Sequence, residues 1–600
     1  MRVLFLFLLA AGALVIAAST DYDERLLLRP LPQGALLASF NFKSNSSATA
    51  FDEQNFRYFP RSLGQILQHA HTKELHLRFS VGRWDAESWG VRPWDGAREG
   101  GTGVELWAWV DAQSDDEADA RWLTLTNALS GLFCASLNFI DSTRTIRPVK
   151  IFQPEGYHPP SSTDSLHLLH GTLPHEVVCT ENLTPFLKLL PCKGKAGISS
   201  LFDGHRLFDA AWQTMAIDVR PVCPQTGADC VLEMEQTVDM VLDIDRSKRP
   251  RVDNPIPRPL PLEQIECDNS KPYPGHDSCF PLSKTNEPAW SISEVFGRSI
   301  AGSCPLSGQH GMASQSVCVN VPSERTVYPE SSRKFKEVRH DKESLRCYEL
   351  PVGSDFDLSV SEQPPDVRIP LRQPTIYAAR SITGHGQERG GVQTVIVNSS
   401  PTSSIEVAYL ESLPWFMKPY LHTLLATVSG PKSPSSSGST TSIKETYYRP
   451  AVDRHRGTHL ELVLSIPAAS TLTLTYDFDK AVLRYTEYPP DANRGFDVAP
   501  AVIKLLSPPT ANQESKGVYL RTTSLLLPLP TPDFSMPYNV IILTSTVMAL
   551  GFGSIFNLLV RRFVAVDEVP VWAPSGLHTK IGALVKVLAA TFRKPRADSE

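Results

Sequence analysis

Cysteine is the residue type in this chain best suited to chemistry, and its placement is uneven. All ten cysteines fall between Cys134 and Cys347 of the 600 residues. A thiol can serve as a nucleophile, a metal ligand or half of a disulfide. Several lie close in sequence: Cys179 with Cys192, Cys223 with Cys230, Cys267 with Cys279, and Cys304 with Cys318. Pairing between these neighbours is the expectation, although connectivity does not follow from sequence. Cys347 has no evident mate, and Cys134 stands 45 residues before the next cysteine. Cys134 lies in FCASLNFID (133–141), which reads as a strand. Phe133, Ala135, Leu137 and Phe139 would then face a core, and Cys134, Ser136 and Asn138 would face outward. A cysteine so placed suits an intermolecular disulfide, and a long-range internal bond, for example to Cys347, fits the pattern equally well.

The other candidate chemistry is thinner. His69, His71 and His76 (HAHTKELH) lack the i, i+4 helical spacing of a metal pair, and no cysteine or helical carboxylate completes a set. No GxSxG, HExxH, P-loop or strand–helix GxGxxG is present, so no catalytic residue, metal or cofactor is expected. Three sequons occur, at Asn45, Asn182 and Asn398. Asn45 and Asn398 lie in polar, loop-like contexts. Asn182 precedes Thr184-Pro185 between two cysteines and is the least favourable glycan site.

The elements that hold these residues begin with the two ends. Arg2 precedes the apolar run Val3–Ala18, which exits through small residues, as a secretory signal peptide does. Residues 1–20 are therefore expected to be removed, an uncleaved anchor being the alternative. The uncharged stretch Val540–Val560 covers about 31 Å as a helix, enough to cross a hydrocarbon core. Arg561 and Arg562 follow it, so the tail 561–600 is expected in the cytosol and the bulk in an oxidising lumen. That tail also separates the apolar stretch from a GPI-attachment signal, which ends on its apolar segment. Within the tail, Gly576–Lys594 fits a basic amphipathic helix on the membrane face or an unstructured segment. The net charge of −6 is spread thinly and gives no basic face for nucleic acid.

The roughly 520 residues between the two apolar segments exceed one core. The expected plan is an α+β domain over 21–245, a Pro-rich linker or insertion over 246–300, and a β-rich domain over 301–532. Leu63, Ile66, Leu67 and Ala70 recur at helical spacing. Leu75, Leu77, Phe79 and Val81 alternate with polar residues as in a half-buried strand, and VELWAWV (104–110) is a further strand. Ser114 and Glu117 form a capping box before a helix whose buried face is Ala118, Trp122, Leu125 and Leu129, with Gly131 as its stop. Leu472, Leu474, Tyr476 and Phe478 alternate cleanly, and 49 prolines disfavour long helices. The fold class expected is thus a β-rich α+β luminal region, with sandwich-like β domains and a few helices, plus one C-terminal transmembrane helix.

Several long strings resemble one family. ELHLRFSVGRWDAESWG, LSGLFCASLNFIDSTRTIRP, LPHEVVCTENLTPFLKLLPCKGKAGISSL, ESLPWFMKPYLHTL, YTEYPPDANRGF and LPTPDFSMPYNVI are similar, in order, to segments of the PIG-T family. The resemblance implies a non-catalytic subunit of the ER GPI transamidase, which transfers preassembled GPI to the C-terminus of proproteins. It implies that the catalytic cysteine and histidine lie in a caspase-like subunit, PIG-K. Other GPI transamidase membrane subunits, proprotein and GPI lipid would be further partners. It also implies that the cysteine of the FCASLNFID string, here Cys134, forms an interchain disulfide with PIG-K. Cys267, Cys279, Cys318 and Cys347 fall in 246–350, where little matches the family pattern, and GPKSPSSSGSTTS (430–442) reads as an inserted low-complexity loop. Two other classes compete: a luminal hydrolase acting alone, and a single-pass cell-surface or ER receptor or adhesion glycoprotein.

Overall fold

The structure is a computed structural model. It describes residues 22–561 and 577–591, apart from 224–229, 252–255, 272–278, 283–286, 308–314, 335, 341–343, 364–370, 385, 431–441, 490, 507–516 and 531–534. The expected signal peptide and most of the low-complexity loop lie outside the described residues.

An 11-stranded sheet dominates the first half. At its centre run Ala35–Ser47, Val231–Asp243, Trp212–Val222, Thr72–Gly82 and Gly103–Asp111, each antiparallel to the next. Period-two alternation sends their side chains to two faces. One face carries Leu75, Leu77, Phe79, Leu106, Ile217 and Val238, all fully or almost fully buried. The helices Arg61–His69, Asp115–Phe133 and Thr180–Leu189 contribute to the same apolar core through Leu63, Trp122, Leu129 and Phe186.

Residues expected in the linker and in the C-terminal domain complete this first sheet instead. Trp290, Ile292, Val295 and Phe296 join its core. Gln315–Asn320 pairs in parallel with Tyr22–Leu31, and Leu345–Glu349 pairs with Gln315–Asn320. The change of architecture comes near residue 360 rather than 300.

From Ile376 onward the chain forms a sandwich, as expected. A four-stranded sheet (Ile376–Thr383, Arg389–Asn398, Ser470–Lys480, Met417–Ser429) faces a five-stranded one (Ile443–Arg449, Thr458–Ile466, Ile405–Leu413, Val502–Leu505, Tyr519–Arg521). Ile396, Leu472 and Leu474 meet Val407, Tyr409, Leu462 and Ile503 between them. Glu411 is buried in the sandwich, where it accepts from the hydroxyls of Tyr409 and Tyr476 at 2.6 Å and pairs with Arg380 at 2.8 Å.

The second face of the large sheet meets the five-stranded sheet. Trp107, Phe152, Ala408, Val502 and Tyr519 form one cluster there. Glu461 accepts from the backbone N–H groups of Val149 and Lys150. Residues up to Pro530 thus form one compact unit, and 531–600 form another. The second unit contains Ser535–Val560, of which Tyr538–Val560 is apolar and long enough to cross a membrane, and a further helix, Leu577–Thr591.

Candidate partner-docking site

Eight of the ten cysteines are paired, and two of the four expected pairs are replaced. Cys223–Cys230 and Cys267–Cys279 form as neighbours. Cys318 lies directly opposite Cys347 in the strand register, so it bonds there rather than to Cys304. Cys304 instead joins Cys192, because the bridge between Gly197 and Ala301 brings their loops together. That leaves Cys179, expected to pair with Cys192, as a free thiol beside Cys134.

The local structure around Cys134 also departs from expectation. The helix Asp115–Phe133 runs past Gly131 and ends at Cys134, a residue in the left-handed region at φ 51°. Ser114 caps its start, as expected, but Glu117 reaches back to the N–H of Gln113. Leu137–Phe139 is a short 3-10 helix, not a strand. Phe133, Ala135 and Leu137 are buried as the pattern predicts, whereas Phe139 is 62% exposed.

Asn182 fastens the two free cysteines to one clamp. It sits at the third position of the helix Thr180–Leu189 and is itself buried. Its Oδ1 accepts from the N–H of Cys179 at 2.9 Å. Its Nδ2 donates to the carbonyls of Phe133 at 2.9 Å and Cys134 at 3.3 Å, two acceptors that the helix end leaves without internal partners. The N–H of Ser136 donates to Glu176 at 2.8 Å, a second tie between the segments. Cys134 is exposed and Cys179 half-buried, and Val177 beside them is 76% exposed. The arrangement is a rigid surface with two thiols and apolar side chains open to a neighbour. The sequence signal for it is the asparagine at 182, whose amide can donate and accept at once.

The Nδ2 of Asn182 is committed to the clamp. Asn398 is not in a loop but ends a strand. Its buried Nδ2 donates to the carbonyls of Ser403, Ile466 and Pro467, so the nitrogen a glycan would need is engaged. Asn45 also lies in a strand, half-buried. His69 ends a helix, His71 follows it, and His76 lies apart in the large sheet.

His76 belongs to a charged cluster that sequence reasoning missed. The polar residues of the strand Thr72–Gly82 were expected at a wetter surface, yet Glu74, His76 and Arg78 are at most 1% exposed. Asp218 is the hub: it binds Arg78 at 2.5 Å, Arg98 at 2.6 Å and His76 at 2.5 Å. Arg98 and Arg220 both reach Glu235, and Arg521 from the sandwich forms a two-pronged pair with Glu105. Burial opposes a charged His76, but hydrogen bonds to Asp218 and Glu74 outweigh it and raise its pKa. Burial likewise opposes the Asp218 carboxylate, and Arg78 and Arg98 hold its pKa well below the usual range. Each charge is paired, which is the condition for burying it. The cluster joins the large sheet to the sandwich through the pair of Glu105 with Arg521.

Together these features define a class: a strand-rich protein with, among the described residues, one helix apolar and long enough to cross a membrane and a braced surface carrying two free thiols. The family model described as "Gpi16 subunit, GPI transamidase component" matches residues 5–586. The GPI transamidase component GPI16 of Saccharomyces cerevisiae is 40% identical over 580 residues, covering 93% of this chain and 92% of that protein. The GPI-anchor transamidase component PIGT of Homo sapiens is 32% identical over 630 residues, covering 99% and 98%. A collagen-binding domain of a Staphylococcus aureus adhesin overlays on 25% of this chain and 98% of its own, at 12% identity and a TM-score of 0.17, too little to relate the folds. The chain belongs to the Gpi16 family of GPI transamidase components.

Proposed function

We propose that this chain is a non-catalytic subunit of the ER GPI transamidase, which stabilises the caspase-like catalytic subunit and helps present proprotein and GPI lipid to it. Membership of the family along almost the whole chain is the observation that carries this reading. The catalytic cysteine and histidine belong to the partner in this reading. The large N-terminal part is luminal, Tyr538–Val560 is the single span, and the tail is cytosolic.

The braced thiol surface supports a covalent link to the catalytic subunit. Eight cysteines are consumed within the chain, so the sulfur for that link comes from Cys134 or Cys179. Cys134 is the more exposed, and Cys179 is the thiol that the observed pairing sets free. Non-reducing gels of Cys134→Ser and Cys179→Ser complexes assign it. One variant is expected to lose the redox-sensitive heterodimer, with partial rather than total loss of GPI transfer, because noncovalent surface remains. A heterodimer that survives in both single variants and in the double variant would remove the covalent link from the proposal.

A further inference from the structure

The sandwich carries two open strand edges that face one cavity. Its volume is about 1020 Å³, and its walls include Ile376–Arg380 and Val518–Thr523. Ile376–Thr383 is the last strand of the four-stranded sheet, and Tyr519–Arg521 is the last of the five-stranded sheet. Among the described residues no ladder joins the two.

The register shows which backbone groups point into the gap. In an antiparallel pair, directly opposed residues alternate between bonded and unbonded. Ser399 N–H donates to Thr375 O at 2.9 Å, one step beyond the Ile376–Asn398 pair. Tyr377 and Ala379 are therefore the residues bonded to the neighbouring strand. Ile376, Ala378 and Arg380 direct their N–H and C=O groups the other way. On the opposite wall, Leu505 N–H donates to Val518 O and Thr522 N–H donates to Ala501 O, both at the ends of the same register. By the same alternation Tyr519 and Arg521 point their backbone groups outward. The Tyr519 carbonyl is covered by Gly96, so the row at Ile376, Ala378 and Arg380 is the one that can meet another polypeptide backbone at strand spacing.

The roof of the cavity is fixed. Val91 N–H donates to Arg372 O at 3.0 Å, and Arg521 donates to Gly96 O at 3.1 Å. Gly96 has φ 79°, and a Cβ there would stand 2.0 Å from Tyr519 O, so the roof rests directly on the wall. Arg83, Asp85, Glu87 and Arg372 are exposed among the lining residues and supply charges of both signs. These charges favour a polar chain beside them, and the lining also carries apolar residues such as Val395, Val397, Ile405 and Leu520.

We infer that this cavity holds an extended polar peptide by strand addition to the Ile376–Thr383 edge, and that its occupant is the polar spacer of a proprotein's C-terminal anchor signal. The inference rests on the transamidase reading above, because anchor signals place a polar spacer of about 8–12 residues between the small-residue cleavage site and the apolar tail. A slot of this kind holds the spacer straight while the cleavage site lies outside it.

The test uses the assembled membrane complex. A benzophenone side chain introduced at Ser404, an exposed lining residue, is photolysed with a proprotein segment bound. The expected product is a crosslink to the spacer. Ala378→Pro removes one outward N–H while sparing the ladder to Arg389–Asn398, and edge strands accept proline. It should lower crosslink yield about tenfold, with co-purification of the catalytic subunit unchanged. A complex that assembles and transfers GPI but gives no spacer crosslink at Ser404, gives one to another segment of this chain, or is insensitive to Ala378→Pro overturns the slot and leaves the transamidase reading intact. Failure of the chain to co-purify with a transamidase overturns both.

Discussion

The same strands bury two opposite kinds of surface. Toward the helices, Leu75, Leu77 and Phe79 enter an apolar core. Toward the sandwich, Glu74, His76 and Arg78 are equally hidden but meet charged partners. The apolar face gains from removal of area from water and tolerates approximate fit. The charged face gains little net energy and depends on every partner being present. One face holds the sheet together, and the other fixes which layer lies against it and in what register.

The largest expected effect comes from breaking the charged hub. Asp218→Ala leaves Arg78, Arg98 and His76 buried without their shared acceptor and should cost about 3–5 kcal/mol in denaturant unfolding. Leu77→Ala on the apolar face should cost about 2–5 kcal/mol, and that cost should not vary with pH. A pH-dependent Leu77→Ala, or a harmless Asp218→Ala, would erase the contrast between the faces.

Titration separates the buried groups next. Burial raises the Asp239 carboxyl from 3.8 to about 7, and burial raises Glu24 from 4.5 to about 7 despite hydrogen bonds from Tyr22 and Ile198. A raised folded pKa means the folded state holds its proton longer. The stability these groups contribute is complete below their unfolded values and disappears as pH rises through 7. His76, also raised, adds the same sign. Asp218, Glu74 and Glu105 are depressed and act oppositely, losing their contribution as pH falls below about 4. Thermal unfolding should therefore show a maximum near about pH 4–5, where the two ranges meet, with a decline of several kcal/mol by pH 7. Asp239→Asn should flatten that decline, and an unchanged slope would show that Asp239 titrates normally.

The smallest effect sharpens the comparison most. Replacing both Glu105 and Arg521 by Met removes both charges but also the acceptor of Gly101 N–H and the donor to Gly96 O, so the double change should cost less than the sum of the two single changes without being neutral. Additive single and double costs would mean the two groups act independently.

Much of this fold was legible in the sequence, and the failures share one cause. Alternation at 74–81 located a strand correctly, because period two is a property of the strand itself. It did not reveal what covers the polar side, since a charge-paired layer and solvent demand the same residue types. The helix before Phe133 was legible through its cap and its apolar face. The turn after it was not: Cys134 takes the left-handed conformation without a glycine to announce it, and the carbonyl it presents is bonded by Asn182, 48 residues away. Cysteine partners close in sequence were found where a short loop sets them, at Cys223–Cys230 and Cys267–Cys279. The pairs Cys192–Cys304 and Cys318–Cys347 depend on strand order, which no local pattern encodes. The edge groups at Ile376, Ala378 and Arg380 were invisible for the same reason.

Strand order also has a consequence during biosynthesis. Tyr22–Leu31 gains its hairpin partner as soon as Ala35–Ser47 leaves the ribosome, but its other flank belongs to Gln315–Asn320. At about 5–20 residues per second, the nascent strand waits roughly 15–60 s for that neighbour with a bare β edge. A message truncated before codon 315 would leave that edge uncovered permanently. Such a product should be retained by chaperones as an aggregating fragment, even though the helices packed on the large sheet and most of that sheet are already encoded.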